Sequence, residues 1–157
     1  MSVINGTELT LYVPNNDASA TADTWIAVAL SKSSSLSISG ENPDISTKSS
    51  DGWTEVIGGQ KSWSIDFESM VDLSLTAEAS GVAQTNTGIL TLWTYFSQRA
   101  KLKVAWGQGG NFWYGFAYIS SLDQSAEVEQ PVSFSGNLVG SGVLALGSSN
   151  PPTFATP

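Results

Sequence analysis

The sequence predicts an all-β fold with one flanking α-helix: two packed antiparallel β-sheets forming a sandwich or barrel, with a long loop and a C-terminal arm. Three observations lead there. Several runs alternate apolar and polar residues with period two, the mark of half-buried strands. One stretch alone carries apolar residues at helical spacing. The last residues turn to Ser, Gly, Pro and Ala, a composition that builds no core. The 157 residues fit one domain. The expected division is a β domain over 1–140 and a tail or arm over 141–157.

The elements follow in chain order. Leu9, Leu11 and Val13 share one strand face, with Glu8, Thr10 and Tyr12 on the other, until Pro14-Asn15-Asn16-Asp17 breaks the strand. Thr24 to Leu30 reads as a strand with Trp25, Ala27 and Ala29 opposite Ile26, Val28 and Leu30. Leu36 and Ile38 mark a short strand ended by Gly40. Residues 41–60 are polar and rich in turn formers, yet hold Ile45, Trp53 and Ile57. A connection that long usually has a function. Lys61 to Leu73 alternates most strictly, with Trp63, Ile65 and Phe67 toward a core and Ser62, Ser64, Asp66 and Glu68 toward water.

Thr85, Asn86 or Thr87 can cap a helix. Ile89, Leu92, Trp93, Phe96 and Ala100 then form its apolar stripe, and Arg99 suits the negative end of the dipole. Leu102, Val104 and Trp106 belong to the next strand, and Gly107 to Asn111 form a turn. Phe112, Tyr114, Phe116 and Tyr118 line one face of the return strand. That face reads as core, with a ligand platform as the alternative. Pro131 to Leu138 is the last clear strand, with Val132, Phe134 and Leu138 inward.

Composition narrows the functions. Charged residues make up only 13% of the chain, against ~25% in ordinary globular proteins. A surface so poor in charge favours association. The net charge is −8, which argues against holding a phosphate backbone. The chain has no Cys and no His, so disulfides, thiolate chemistry, Cys or His metal sites and His-dependent triads are excluded. Asp123, Glu127 and Glu129 lack the spacing of a calcium loop and read as a solvated turn. No catalytic, metal-binding or cofactor-binding residue is expected. The first residues predict no signal peptide, and no apolar run is long enough to predict a membrane-spanning helix.

The segment Asp44-Ile45-Ser46-Thr47-Lys48-Ser49-Ser50-Asp51-Gly52-Trp53, continuing through Glu55, Ile57 and Lys61-Ser62-Trp63-Ser64-Ile65, resembles the central signature of the major tail tube proteins of long-tailed bacteriophages. The opening Asn5-Gly6-Thr7-Glu8-Leu9-Thr10-Leu11-Tyr12-Val13 is similar to that family's start. Arg99 to Gly107 and Tyr114 to Leu122 resemble the strand pair after its single helix. The resemblance spans residues 4 to about 138; residues 14–24 and the tail after Gly140 depart from it.

The resemblance implies a virion structural protein, made in the host cytoplasm and assembled into the phage tail. Its copies would form stacked, hexameric rings whose inner strands close into one barrel around a lumen. Double-stranded DNA would pass through without specific binding. Other tail proteins, such as the tape measure and the terminator, would be partners, and no membrane is implied. The long loop would reach the neighbouring ring through Ile45, Trp53 and Ile57. Asp66 and Glu68 are the candidate lumen-facing acids. A neck, decoration or contractile-tail role shares the expected fold.

Two other classes compete. Six Trp and four Tyr on a small β domain also suit a carbohydrate-binding β-sandwich. A glycosidase would need two carboxylates at a set separation, and nothing in the sequence singles out such a pair.

Overall fold

The strict alternation of residues 61–70 becomes a strand with Trp63, Ile65, Phe67 and Ser69 buried and the residues between them wetter. The computed structural model describes residues 9–14, 25–28, 31–70, 86–87, 89–108 and 111–147. Its elements are β1 (Thr10–Pro14), β2 (Trp25–Val28), β3 (Ser31–Gly40), β4 (Lys61–Met70), β5 (Asn86–Thr87), α1 (Ile89–Gln98), β6 (Leu102–Gln108), β7 (Asn111–Ser125), β8 (Ser133–Gly140) and β9 (Ala145–Gly147).

Among the described residues the fold is all-β with one helix, as the sequence predicts. The two expected layers are parts of one continuous sheet, ordered β3-β4-β8-β7-β6-β1-β2-β5, with β9 beside β7. All pairs are antiparallel except β2 with β5. The sheet curls into a half-barrel. The long strand β7 joins its two ends: residues 111–117 pair with β6, and 117–125 pair with β8. Curling brings β3 over β6, where the Trp106 indole N–H donates to Ser34 Oγ at 2.9 Å.

The core fills the inside of the curl. Leu11, Val13, Trp63, Ile65, Phe67, Leu102, Val104, Phe134 and Leu138 are buried there, and Leu92 of α1 closes it from the flank. Tyr95 and Phe96 pack against this core half-buried. Trp93, expected on the same stripe, is exposed and stacks at an angle on Phe96, with 5.7 Å between centroids.

Of the aromatic row that the sequence suggests as the core face of β7, only Phe112 is fully buried. Ala117 and Ile119 belong to the core, while Tyr114 and Phe116 are half-buried and Tyr118 is exposed on the opposite face. Volume explains the choice, because the bulk at this level comes from β4. A Cβ on Gly115 would lie 2.7 Å from Trp63 Cζ2, and one on Gly136 would lie 2.7 Å from Phe67 Cζ. Small residues on β7 and β8 are therefore what admit the large ones.

The sheet also runs past Gly140, into the stretch expected as a tail. Ser141 N donates to Phe116 O at 2.7 Å, and the Trp63 indole donates to Gly142 O at 3.1 Å. Leu144 packs on the core, and β9 pairs with residues 112–114. Of the three candidate caps, Asn86 and Thr87 instead pair with β2 as β5, while Thr85, the expected strand residues 71–73 and the end of the arm at 148–157 lie outside the described residues.

Candidate functional site

Residues 41–60 form an arm with its own backbone bonding. Glu41 N donates to Gln60 O (2.8 Å), Gly59 N to Glu41 O (2.7 Å), Ile57 N to Pro43 O (3.0 Å) and Ile45 N to Glu55 O (2.8 Å). The arm thus prolongs the β3–β4 ladder as a hairpin. Its tip turns at Asp51-Gly52, at φ 52° and 84°, with Trp53 N donating to Ser50 O at 2.9 Å. Two positive φ values in succession are what a type I′ hairpin turn requires, and Asp-Gly supplies them. Ser46 N donates to Asp44 Oδ1 at 2.7 Å. The Ser46 side chain and then its backbone amide hold the Asp44 carboxyl below the usual range.

The apolar side chains of this arm stand largely exposed. Trp53 is 80% exposed, Ile57 54% and Ile45 49%. The Asp44–Val56 bridge sets the register, so Pro43, Ile45 and Ile57 share one side of the ribbon. Apolar side chains fixed in water on a self-bonded support have the character of a binding surface.

Among the described residues, the four-strand run β3-β4-β8-β7 has an open edge on each side. β3 pairs with β4 alone, leaving one edge of Ser31–Gly40 free. On β7, pairing with β6 stops at Ala117, so residues 118–125 bond on one side only. Neither edge carries the Pro or clustered charge that usually blunts an exposed strand.

Between these edges, the face away from the core is polar. Ser35, Ser37 and Ser39 of β3 stand opposite Asp66, Ser64 and Ser62 of β4. Asp66 and Glu68, the two acids singled out from the sequence, both lie here. Asn137 Nδ2 donates to Asp66 Oδ1 at 2.6 Å, and Lys32 Nζ bonds Glu68 Oε1 at 2.9 Å. Such an exposed pair contributes only ~0–1 kcal/mol, but it offsets the charge of Glu68. Asp123 also falls on this face, beside Ser135. The sequence reading missed the hairpin bonding of the arm and the open half of β7. The Asp51-Gly52 pair was a signal for the first; the second depends on where β6 ends.

A fold whose distinctive surfaces are backbone edges and an apolar arm is that of a structural β-subunit. Residues 3–145 match the phage tail tube protein family. The chain belongs to that family, which is structural, and it is not an enzyme. Among solved structures it is similar to the tail of an empty gene transfer agent particle computed with C6 symmetry, with TM-score 0.72 and 18% identity over 91% of this chain and 98% of that one. It is also similar to the SPP1 tail tube, with TM-score 0.61 and 15% identity over 94% and 80%. The anti-feeding prophage baseplate gives TM-score 0.61 and 12% identity over 93% and 95%. No curated protein matches the sequence directly.

Proposed function

We propose that copies of this chain join edge to edge into closed rings, six to a ring, and that the rings stack into the hollow tube of a phage tail. The observation that carries this reading is the pair of open edges flanking β3-β4-β8-β7. Four antiparallel strands are an even number. A rotated copy therefore presents its β3 antiparallel to the free half of β7, and the seam continues the ladder. Closing the ring removes both edges from water. The sixfold symmetry of the similar gene transfer agent tail supports the ring size.

In such a ring the serine-rich face turns to the lumen. Hydroxyls and amides bonded to one another, as in Ser39–Ser62 at 2.7 Å and Ser125–Ser133 at 2.8 Å, leave few groups to grip a phosphate. Asp66 and Asp123 add repulsion, with Glu68 contributing less because Lys32 sits on it. Salt limits that repulsion to ~8 Å, enough for a wall that DNA slides past during ejection. The arm, through Ile45, Trp53 and Ile57, contacts the next ring. The tube ends meet other tail proteins, such as the tape measure and terminator, and assembly takes place in the host cytoplasm.

Negative-stain microscopy with light scattering of the concentrated protein tests this. Rings or tubes with an axial hole are expected. Compact monomers alone, at every salt concentration, would overturn it.

A further inference from the structure

A cleft of about 610 Å³ opens where the end of α1 meets the free half of β7. Tyr95, Phe96, Arg99, Tyr118 and Ile119 line it, with no acid among the described lining residues. Its volume falls inside the ~300–1,000 Å³ of sites that take a small molecule or a large side chain. Lys101 stands beside it, its ammonium 5.7 Å from the Phe116 centroid and 5.9 Å from that of Tyr118.

Charge sets this region apart. Three of the six cations of the chain, Arg99, Lys101 and Lys103, fall together, and residues 79–122 contain no Asp or Glu. The arm is the opposite. Residues 41–60 hold Glu41, Asp44, Asp51 and Glu55 against Lys48 alone, and Asp51 and Glu55 flank the exposed Trp53.

Backbone geometry marks Arg99 as well. Ala100 N donates to Tyr95 O and Arg99 N to Phe96 O, both at 3.1 Å. Arg99 itself sits at φ 51°. This is the Schellman end of a helix, and its left-handed residue is usually glycine. An arginine held there at a conformational cost points to a use for its side chain.

We infer that this cleft is the socket for the arm of a second copy, with Trp53 entering between Tyr95 and Tyr118 while Asp51 and Glu55 face Arg99 and Lys101. The inference rests on the self-assembly proposed above and names the surface that receives the arm. An indole on aromatic walls beside a guanidinium is a pairing common at binding hot spots. The single-chain fold leaves both halves exposed, as a contact made only between copies requires.

Arg99→Gly in the full-length protein separates function from folding. Glycine relieves the left-handed strain, so the isolated subunit should melt about 2–4 °C higher. The concentration needed for assembly should nevertheless rise about tenfold or more, as loss of a hot-spot arginine does. Wild-type assembly by both Arg99→Gly and the charge reversal Arg99→Glu/Lys101→Glu, while Trp53→Ala abolishes it, would overturn the socket and leave the role of the arm standing. Wild-type assembly by all three would overturn both. The chain lacks cysteine, so Thr54→Cys with Ser97→Cys gives a second readout. Oxidation should link assembled copies into ladders; monomers or a bond within one chain would refute the contact.

Discussion

Trp63 sits at the base of the β3–β4 hairpin and Trp53 at its tip; the first is 5% exposed and the second 80%. Both belong to the same bonded ladder, so backbone structure does not separate them. Their surroundings do. Trp63 lies over Gly115 and Gly140, positions with no side chain to obstruct it, and its indole N–H ends on Gly142 O. Trp53 stands on a turn whose bonds are all internal to the arm. The base of the hairpin is built to be finished by its own chain. The tip is built so that folding leaves it unfinished. Holding an apolar group rigidly in water lowers the ordering cost when a partner covers it.

The strongest way to break this contrast is Trp63→Ala. It empties a fully surrounded site and strands Gly142 O without its donor. Unfolding by denaturant should show a loss of about 3–5 kcal/mol; a loss under ~1 kcal/mol would mean that the indole is not part of the core. Gly115→Ala probes the same site from the other strand. Its Cβ would fall 2.7 Å from Trp63 Cζ2 and 3.2 Å from Val143 O, and the backbone oxygen cannot swing away. About 1–3 kcal/mol of destabilisation is expected, with Trp emission shifted by the displaced ring.

Ser69 sharpens the contrast from within the core. It is wholly buried, and its hydroxyl has no hydrogen-bond partner. Ser69→Ala removes an unpaid desolvation penalty, so stability should rise by about 1 kcal/mol. A comparable loss in the same denaturant titration would show that the hydroxyl is satisfied.

The base of the hairpin was legible in the sequence and much of the rest was not, for physical reasons. Period-two alternation fixes which residues share a face, and Trp63, Ile65 and Phe67 accordingly lie together in the core. Alternation does not say which face is inside. On β7 the larger set, Phe112 to Tyr118, suggested core. The structure buries Phe112 but otherwise uses Gly115, Ala117 and Ile119 there, because Trp63 and Phe67 arrive from β4, distant in sequence. The course of β9 depends on residues 112–114 of β7, which extend past the last residue that β8 pairs, and no local pattern in residues 141–147 announces it. For the arm, composition flagged its length and its apolar tip, and Asp51-Gly52 held the turn type. The socket at Arg99 needed coordinates, since a left-handed arginine and its cleft leave no trace in hydropathy.

The smallest expected effect is the most telling. Trp53→Ala removes the largest side chain of the arm, yet in the isolated subunit that side chain touches mostly water. Burial on folding is what turns apolar area into stability, and here little is buried. The backbone bonds that hold the tip run through Ser50, Trp53 and Glu55 main-chain atoms, which the substitution keeps. Denaturant unfolding of Trp53→Ala under non-assembling conditions should therefore match wild type within ~0.5 kcal/mol. A loss approaching that of Trp63→Ala would make the tip part of the folding unit. Near-identity, together with failed assembly, assigns the apolar area of Trp53 to contacts that form only between copies.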